Sequence, residues 1–413
     1  MNRREFLQHA ALLSGATLFA LGTRGWAARL SDAVAGNRRL IVIFLRGAVD
    51  GLNVVVPFAD DRYYQARPTI AIPKCGQDNG ALDLDGYFGL HPALAAVLPL
   101  WQNKTMAFVQ ASGSPDPNRS HFEAQAYMET GAPGDTAVSS GWMNRLLGAL
   151  PGPHAPTEAL SLGTTLPRIF TGPNPVSNLP LGRNAGHPMP IDRPRVADAF
   201  DALYQGNTMV DKVFHQGQQA RSELMLDLQQ DMAASYNGAP SVIGFANDTQ
   251  RLAKLMAGDA SIRLAFLSVG GWDTHVGEGS AQGQLANHLR ALGQGLAALT
   301  QGLGGLYQDS VILVMSEFGR TFRENGNAGT DHGHGNVMWL LGGQVNGGKV
   351  YGDWPGLSGD QLYQNRDLAV TTDFRQVIGT LLSRHLRLAD AGLAQVFPDG
   401  LGAAVNLSAL LKA

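Results

Sequence analysis

Short runs that are apolar at every position alternate along this chain with longer runs that are apolar every third or fourth position. RLIVIFLRG (39–47) is continuous and rich in β-branched residues, the pattern of a strand buried on both faces of a parallel sheet. MAFVQAS (106–112), IRLAFLSVGG (262–271), SVILVMSEF (310–318) and NVMWLLGG (336–343) repeat it. Helices are predicted over 91–102, 120–131, 209–236, 246–259, 283–309 and 373–386. The 120–131 segment, SHFEAQAYMETG, has Ser120 at the cap position, Glu123 three residues on and Gly131 at its end, which predicts a capping box. Strands alternating with helices imply an α/β sandwich with a mainly parallel central sheet, and ligands in such sheets bind beyond the carboxyl ends of the strands.

The first thirty residues follow a different pattern. Arg3 and Arg4 precede Phe6 and Leu7, a weakly apolar stretch runs from Ala10 to Leu21, and Gly25-Trp26-Ala27 offers small residues for cleavage. These parts in this order predict a twin-arginine signal peptide over 1–27, hence a partner in the twin-arginine translocase and a periplasmic or secreted protein. The apolar run is too short to span a bilayer, which needs about 20 residues, so membrane contact is expected only through the signal. The remainder, 28–413, reads as one domain with a helix-rich insertion around 190–260.

Composition narrows the chemistry. The 413 residues are 44% hydrophobic, enough for a large core, and the net charge of −3 gives no reason to expect nucleic acid. Cys75 is the single cysteine, so no intramolecular disulfide forms and any metal must be held by His, Asp and Glu.

Those residue types collect where strands end. Asp50 follows the first strand in RGAVDGLN; Ser120 and His121 follow the second; Asp273 and His275 follow 262–271 in GGWDTH. Glu317 ends a very apolar strand in MSEFGRT, where a buried carboxylate needs a partner. Asp331, His332 and His334 lie in GTDHGHGN (329–336). Imidazoles and carboxylates on separate loops suit zinc, manganese or a comparable divalent ion. Turn chemistry would account for Asp50, and helix capping for Ser120. Gly329, Gly333 and Gly335 are expected to take backbone angles that other residues resist, so that a short loop turns two histidines toward one pocket. Arg46, Arg119 and Arg320 are candidates to clamp an anionic group.

LRGAVDGLNVVVP, RSHFEAQAYMETG, GGWDTH, SEFGRT and DHGHGNVMWLLGG together resemble the DUF1501 family of exported bacterial proteins, over nearly the whole mature chain. That family is of unknown function and looks related to the alkaline phosphatase-like superfamily of phosphatases, sulfatases and phosphomutases. The resemblance implies a three-layer sandwich and a nucleophile set between one or two divalent metals (zinc, manganese or calcium). It places Asp50, Asp273, His275, Glu317, His332 and His334 as metal ligands, with Asp331 as a ligand or as the group orienting one. It makes Ser120 the nucleophile, with His121, Arg46, Arg119 and Arg320 beside it. Two departures stand out. Phe318 follows Glu317 where the superfamily has Asp-His, which puts a second metal in doubt. PDPNR (115–119) has Pro115 where a formylglycine precursor would stand, which argues against that chemistry. The expected function is a metal-dependent hydrolase of phosphate or related esters, its substrate an anionic small molecule or polymer. The alternative is a non-catalytic binding or assembly protein that keeps the fold, with or without one metal.

Overall fold

The structure, a computed structural model, describes residues 38–180 and 244–412 apart from positions 153, 164 and 404. The segment predicted to be a signal peptide (1–27) and the 209–236 stretch lie outside the described residues. Among the described residues, nine strands form one sheet: β1 (Arg39–Arg46), β2 (Met106–Gly113), β3 (Ala159–Leu162), β4 (Ser177–Leu179), β5 (Leu264–Gly270), β6 (Ser310–Ser316), β7 (Asn336–Gly342), β8 (Lys349–Tyr351) and β9 (Thr372–Asp373). Their order is β8-β2-β7-β6-β1-β5-β3-β4, with β9 also on β2. β1 is central and parallel to both neighbours, Val42 lying opposite Phe266 of β5 and Leu313 of β6.

Apart from β7, which is antiparallel to β2 and β6, the sheet is parallel. The reversal has a local cause. A parallel return needs a crossover long enough to run back along the sheet, usually a helix. The segment between β6 and β7 (317–335) is rich in Gly and Asn and holds no helix. The chain therefore turns back at the edge it has reached, and DHGH stays at the carboxyl end of β6.

Side chains of β1 alternate between two cores. Ile41, Ile43 and Leu45 pack with Leu252 and Met256 of α3 (Phe245–Gly258) and Leu289, Leu292 and Leu296 of α4 (Gln284–Leu303). Leu40, Val42 and Phe44 pack with Trp142 and Leu146 of α2 (Trp142–Ala149) and Phe374 and Ile378 of α5 (Phe374–Thr380). Both faces are thus covered by helices, as continuous apolar strands require. α3, placed by the sequence in the helix-rich middle, is part of this core.

Two predicted helices differ from expectation. The 91–102 segment is a 3₁₀ turn (Pro92–Val97) followed by a short α-helix (Leu98–Gln102), because Pro92 and Pro99 lack amide donors. α1 (His121–Thr130) closes on Gly131 at φ 68°, but the capping box does not form. Asn118 accepts from the Ser120 amide at 2.7 Å and donates to Glu123, and the Ser120 hydroxyl makes no capping bond. Among the described residues, no helix is long and apolar enough to cross a membrane.

The fully buried His91 caps the 3₁₀ turn. Its Nδ1 accepts from the Ala93 amide at 3.0 Å, so Nε2 carries the proton, 3.2 Å from the Ser280 carbonyl. Burial lowers its pKa from 6.5 to about 4. The unfolded chain then binds a proton that the folded chain refuses, so stability falls as pH drops from 6.5 toward 4. About 3 kcal/mol is at stake over that window. Denaturant unfolding at several pH values should show this loss, and His91→Asn, which keeps a capping acceptor, should remove that part of the slope.

Candidate metal centre

Four loops meet at the carboxyl edge of the sheet. β1 ends at Gly47, whose φ of 116° suits glycine; a Cβ there would lie 2.8 Å from the Asp273 amide nitrogen. Asp273 and His275 leave β5 on a loop anchored by buried Trp272, whose indole N–H donates to Val269 O at 2.8 Å. α1 supplies His121 from its first turn. The segment after β6 folds back on itself. Gly333 N donates to Gly319 O at 2.8 Å and Thr321 N to Asp331 O at 2.9 Å, which sets His332 across from Arg320. Gly329, Gly333 and Gly335 do not have positive φ, contrary to expectation. Close approach requires them instead: a Cβ on Gly333 would collide with the Arg320 backbone, and one on Gly329 with the His275 carbonyl.

Three imidazoles converge through one kind of atom. His332 Nε2 lies 2.9 Å from His121 Nε2 and 2.9 Å from His275 Nε2. The Asp273 carboxylate adjoins all three, with Oδ1 3.0 Å from His275 Nε2 and 3.4 Å from His332 Nε2, and Oδ2 3.5 Å from His121 Nε2. Donor atoms of His121, Asp273 and His332 all lie within 4.8 Å of one another. About a quarter of the His121 and His332 side chains (26% and 27%) stays exposed, so solvent reaches the cluster.

The opposite ring nitrogens settle the tautomers. His332 Nδ1 is 2.9 Å from the Arg119 carbonyl, which only accepts, so Nδ1 carries the proton. His121 Nδ1 faces Glu317 Oε1 at 2.8 Å, and His275 Nδ1 faces Asp331 Oδ1 at 3.2 Å; each carboxylate again takes an N–H. In the neutral rings all three Nε2 atoms then present lone pairs to one another. Neutral acceptors at 2.9 Å repel. A proton relieves one such contact, whereas a cation at the centre relieves them all. Tetrahedral zinc with Zn–N of about 2.0–2.1 Å spaces its ligands by roughly 3.3 Å, close to the separations here. Imidazoles backed by carboxylates or carbonyls are the usual setting of metal-binding histidines.

Neighbouring donors keep the carboxylates around the cluster ionised. Burial pushes Asp273 up, but Arg320 Nη1, at 2.6 Å, outweighs it and holds the carboxyl below its usual range. Burial likewise raises Glu317, yet donors from His121, Gln125 and the Gly47 amide keep it ionised. The hydrogen bond to Glu317 raises His121, while burial and neighbouring His121 lower His332.

The other expected residues take different places. Asp50, read as a ligand, is fully buried and paired with Arg67. His334 is buried against the Tyr363 ring, centroids 4.6 Å apart, and burial drops its pKa to about 4. Glu317 and Asp331 stand behind His121 and His275. His121, read as catalytic, points into the ligand cluster. Each candidate anion clamp meets a carboxylate: Arg46 with Glu129 at 2.6 Å, Arg119 with Asp367 at 2.6 Å, and Arg320 with Asp273. Ser120 is exposed, one residue before His121. Phe318 is buried under the site, its ring 4.9 Å from that of His121 and 5.2 Å from that of His332. Two residues were not singled out in the sequence: Gln125, whose amide holds Glu317, and fully buried Glu278.

One divalent ion per chain is expected by elemental analysis of purified protein. His332→Ala should remove most of it and His334→Ala should leave it in place. Equal loss from both variants would mean that the site lies elsewhere in the loop. Binding should also weaken on acidification, since protons compete for the same nitrogens and His121 holds its proton to higher pH than an ordinary histidine.

Residues 37–399 match the family described as a protein of unknown function, DUF1501. No curated protein matches the chain significantly. Among solved structures, Ps i-CgsB in complex with k-i-k-neocarrahexaose is 11% identical with a TM-score of 0.41, covering 87% of this chain and 74% of that one. A second Ps i-CgsB structure is 11% identical with a TM-score of 0.36, over 88% and 76% of the two chains. Likenesses this weak carry no argument about fold or activity. The family match spans most of the sequence, and the chain belongs to the DUF1501 family.

Proposed function

We propose that the protein is an exported metal-dependent hydrolase of phosphate or related esters, with an alkaline phosphatase-like architecture and a single divalent ion. The convergence of three unprotonated Nε2 atoms on Asp273 carries this reading. The donor set favours zinc or manganese over calcium, which prefers oxygen ligands. Phe318 puts an apolar ring under the cluster, and Glu317 already accepts from Gly47, His121 and Gln125, so nothing here supports a second ion.

A bound ion of this kind lowers the pKa of a water or hydroxyl and neutralises ester oxygens. The chain's own groups prepare for that chemistry. Arg320 keeps Asp273 ionised and oriented. Glu317, Asp331 and the Arg119 carbonyl hold the three rings with their lone pairs inward. Ser120 sits at the N-terminus of α1, where the helix dipole favours negative charge. Its hydroxyl makes no capping hydrogen bond and is left for attack on an ester bound beside His121. Phe122 and Val276, both well exposed, directly follow two of the histidines and offer apolar flanks for the substrate body.

One observation favours a second reading. All three candidate clamps are committed to carboxylates, which leaves none of them as the anion clamp expected in an esterase. In that reading the protein is a metal-holding binding or assembly factor without turnover.

Hydrolysis of phosphate mono- and diesters by metal-loaded protein from an exporting host is the test. His332→Ala should abolish turnover. Ser120→Ala should lower kcat at least about 100-fold if serine attacks, and should change it little if water does. Fully metal-loaded protein inert toward all these esters would leave the binding reading in front. Replacing Arg3 and Arg4 with Lys should strand the precursor in the cytoplasm on fractionation, and normal export of that variant would refute the twin-arginine assignment.

A further inference from the structure

Glu278 is fully buried, and the hydrolytic reading above gives it no role. Its Oε2 accepts from the Thr274 hydroxyl at 2.8 Å and from the Thr330 hydroxyl at 2.8 Å. Thr274 lies between Asp273 and His275, and Thr330 lies two residues before His332. One carboxyl oxygen therefore ties together the two loops that carry three of the four cluster residues. Backbone bonds run beside this tie: Thr330 N donates to Thr274 O at 3.1 Å, and Glu278 N to Ala328 O at 2.9 Å. The Thr330 hydroxyl is also an acceptor, taking the Arg320 Nε proton at 3.1 Å, while Arg320 Nη1 reaches Asp273. Moving the Thr330 hydroxyl would thus disturb the guanidinium that orients Asp273.

Behind Glu278 lies a rigid support. Its Oε1 accepts from Asn53 Nδ2 at 3.0 Å. Asn53 is itself held by Tyr63 at 2.5 Å and Arg67 at 2.8 Å, and Arg67 pairs with Asp50. Burial, then the adjacent Asp50 carboxylate, raises Glu278 well above the usual range, so it bridges to Asp50 as a neutral acid. A neutral acid still has one carbonyl oxygen free to accept both threonine hydroxyls; glutamine keeps that oxygen but sets an amide N–H against Asn53 Nδ2 and loses that one bond.

We infer that Glu278 is a positioning residue that clamps the 273–275 loop to the 330–332 loop and so presets the imidazole convergence before any metal arrives. This rests on the metal-centre reading and extends it to a residue that touches no ligand atom. Losing a group of this kind costs about 10–100-fold in metal affinity.

The test uses the mature protein, titrated with zinc and with manganese against a competing chelator. Glu278→Ala should weaken binding 10- to 100-fold, and Glu278→Gln, which keeps the oxygen facing the threonines but not the Asn53 bond, should weaken it clearly less than Glu278→Ala. Thr330→Val should weaken binding similarly, while Thr330→Ser, which keeps the hydroxyl, should not. If Glu278→Ala fails to fold, the Thr330 pair decides. A Glu278→Ala protein that melts earlier yet binds metal as the parent does would overturn the inference, because the residue would then be structural only. A parent protein that binds neither metal sinks the metal centre itself. Hydrogen exchange at the Thr330 amide in metal-free protein would then decide the clamp alone: faster exchange in Glu278→Ala supports it, and unchanged exchange refutes it.

Discussion

Three imidazole lone pairs facing one another at van der Waals contact or closer are the constraint around which this edge of the protein is arranged. Left alone they would splay apart, since each would gain more from water than from its neighbours. They are held because each ring is gripped from behind by an acceptor that the fold cannot easily move: a fully buried carboxylate, a carboxylate fixed by Asn325, and a backbone carbonyl. Such pre-paid repulsion belongs to functional sites, where local cost is tolerated for the sake of a ligand.

Sheet topology makes the grip feasible. β1, β5 and β6 are parallel neighbours, so the segments following them leave from one edge. β7 reverses, and its entry loop lies at that same edge. Had the chain crossed over to add another parallel strand, the DHGH loop would have ended at the opposite edge. The reversal of β7 within this sheet is thus what brings His332 to Asp273 and His275.

The strands and most helices were legible in the hydrophobic pattern, because burial on both faces leaves a continuous apolar signature. Asp273, His275 and His332 were legible as a group because strand-end loops gather polar residues. The ranking within that group was not. Nothing local separates His332 from His334, two residues apart in the same loop; one faces the cluster and the other packs on Tyr363, and only the tertiary path of the loop decides which. His121 was visible but was assigned to catalysis, since a residue at a helix start reads first as part of an anion site. Asp50 looked like a ligand because it follows a strand, whereas its partner Arg67 comes from a loop that no spacing rule connects to it. Glu278, in GWDTHVGEG, looked like an ordinary loop residue, and its burial depends on packing against Asn53 and the Thr330 loop.

The charges inward from the centre follow a consistent order. Asp273 is matched by Arg320, and Asp50 by Arg67, with Glu278 between the two pairs. Were Glu278 ionised, two fully buried carboxylates, Asp50 and Glu278, would share Arg67, since Arg320 is paired with the part-exposed Asp273, and burying the surplus charge would be costly. Keeping Glu278 protonated neutralises the interior and leaves a carbonyl oxygen for the threonines. The same arithmetic bears on the ligand set. Asp273 is matched by Arg320, but Glu317 and Asp331 set two further carboxylates directly behind the His121 and His275 rings. A divalent ion placed there would have its charge offset by these carboxylates, and the same carboxylates would favour its binding. An anionic ester would then have to be held by direct contact with the ion rather than by a long-range field, since Arg46, Arg119 and Arg320 are already paired with carboxylates.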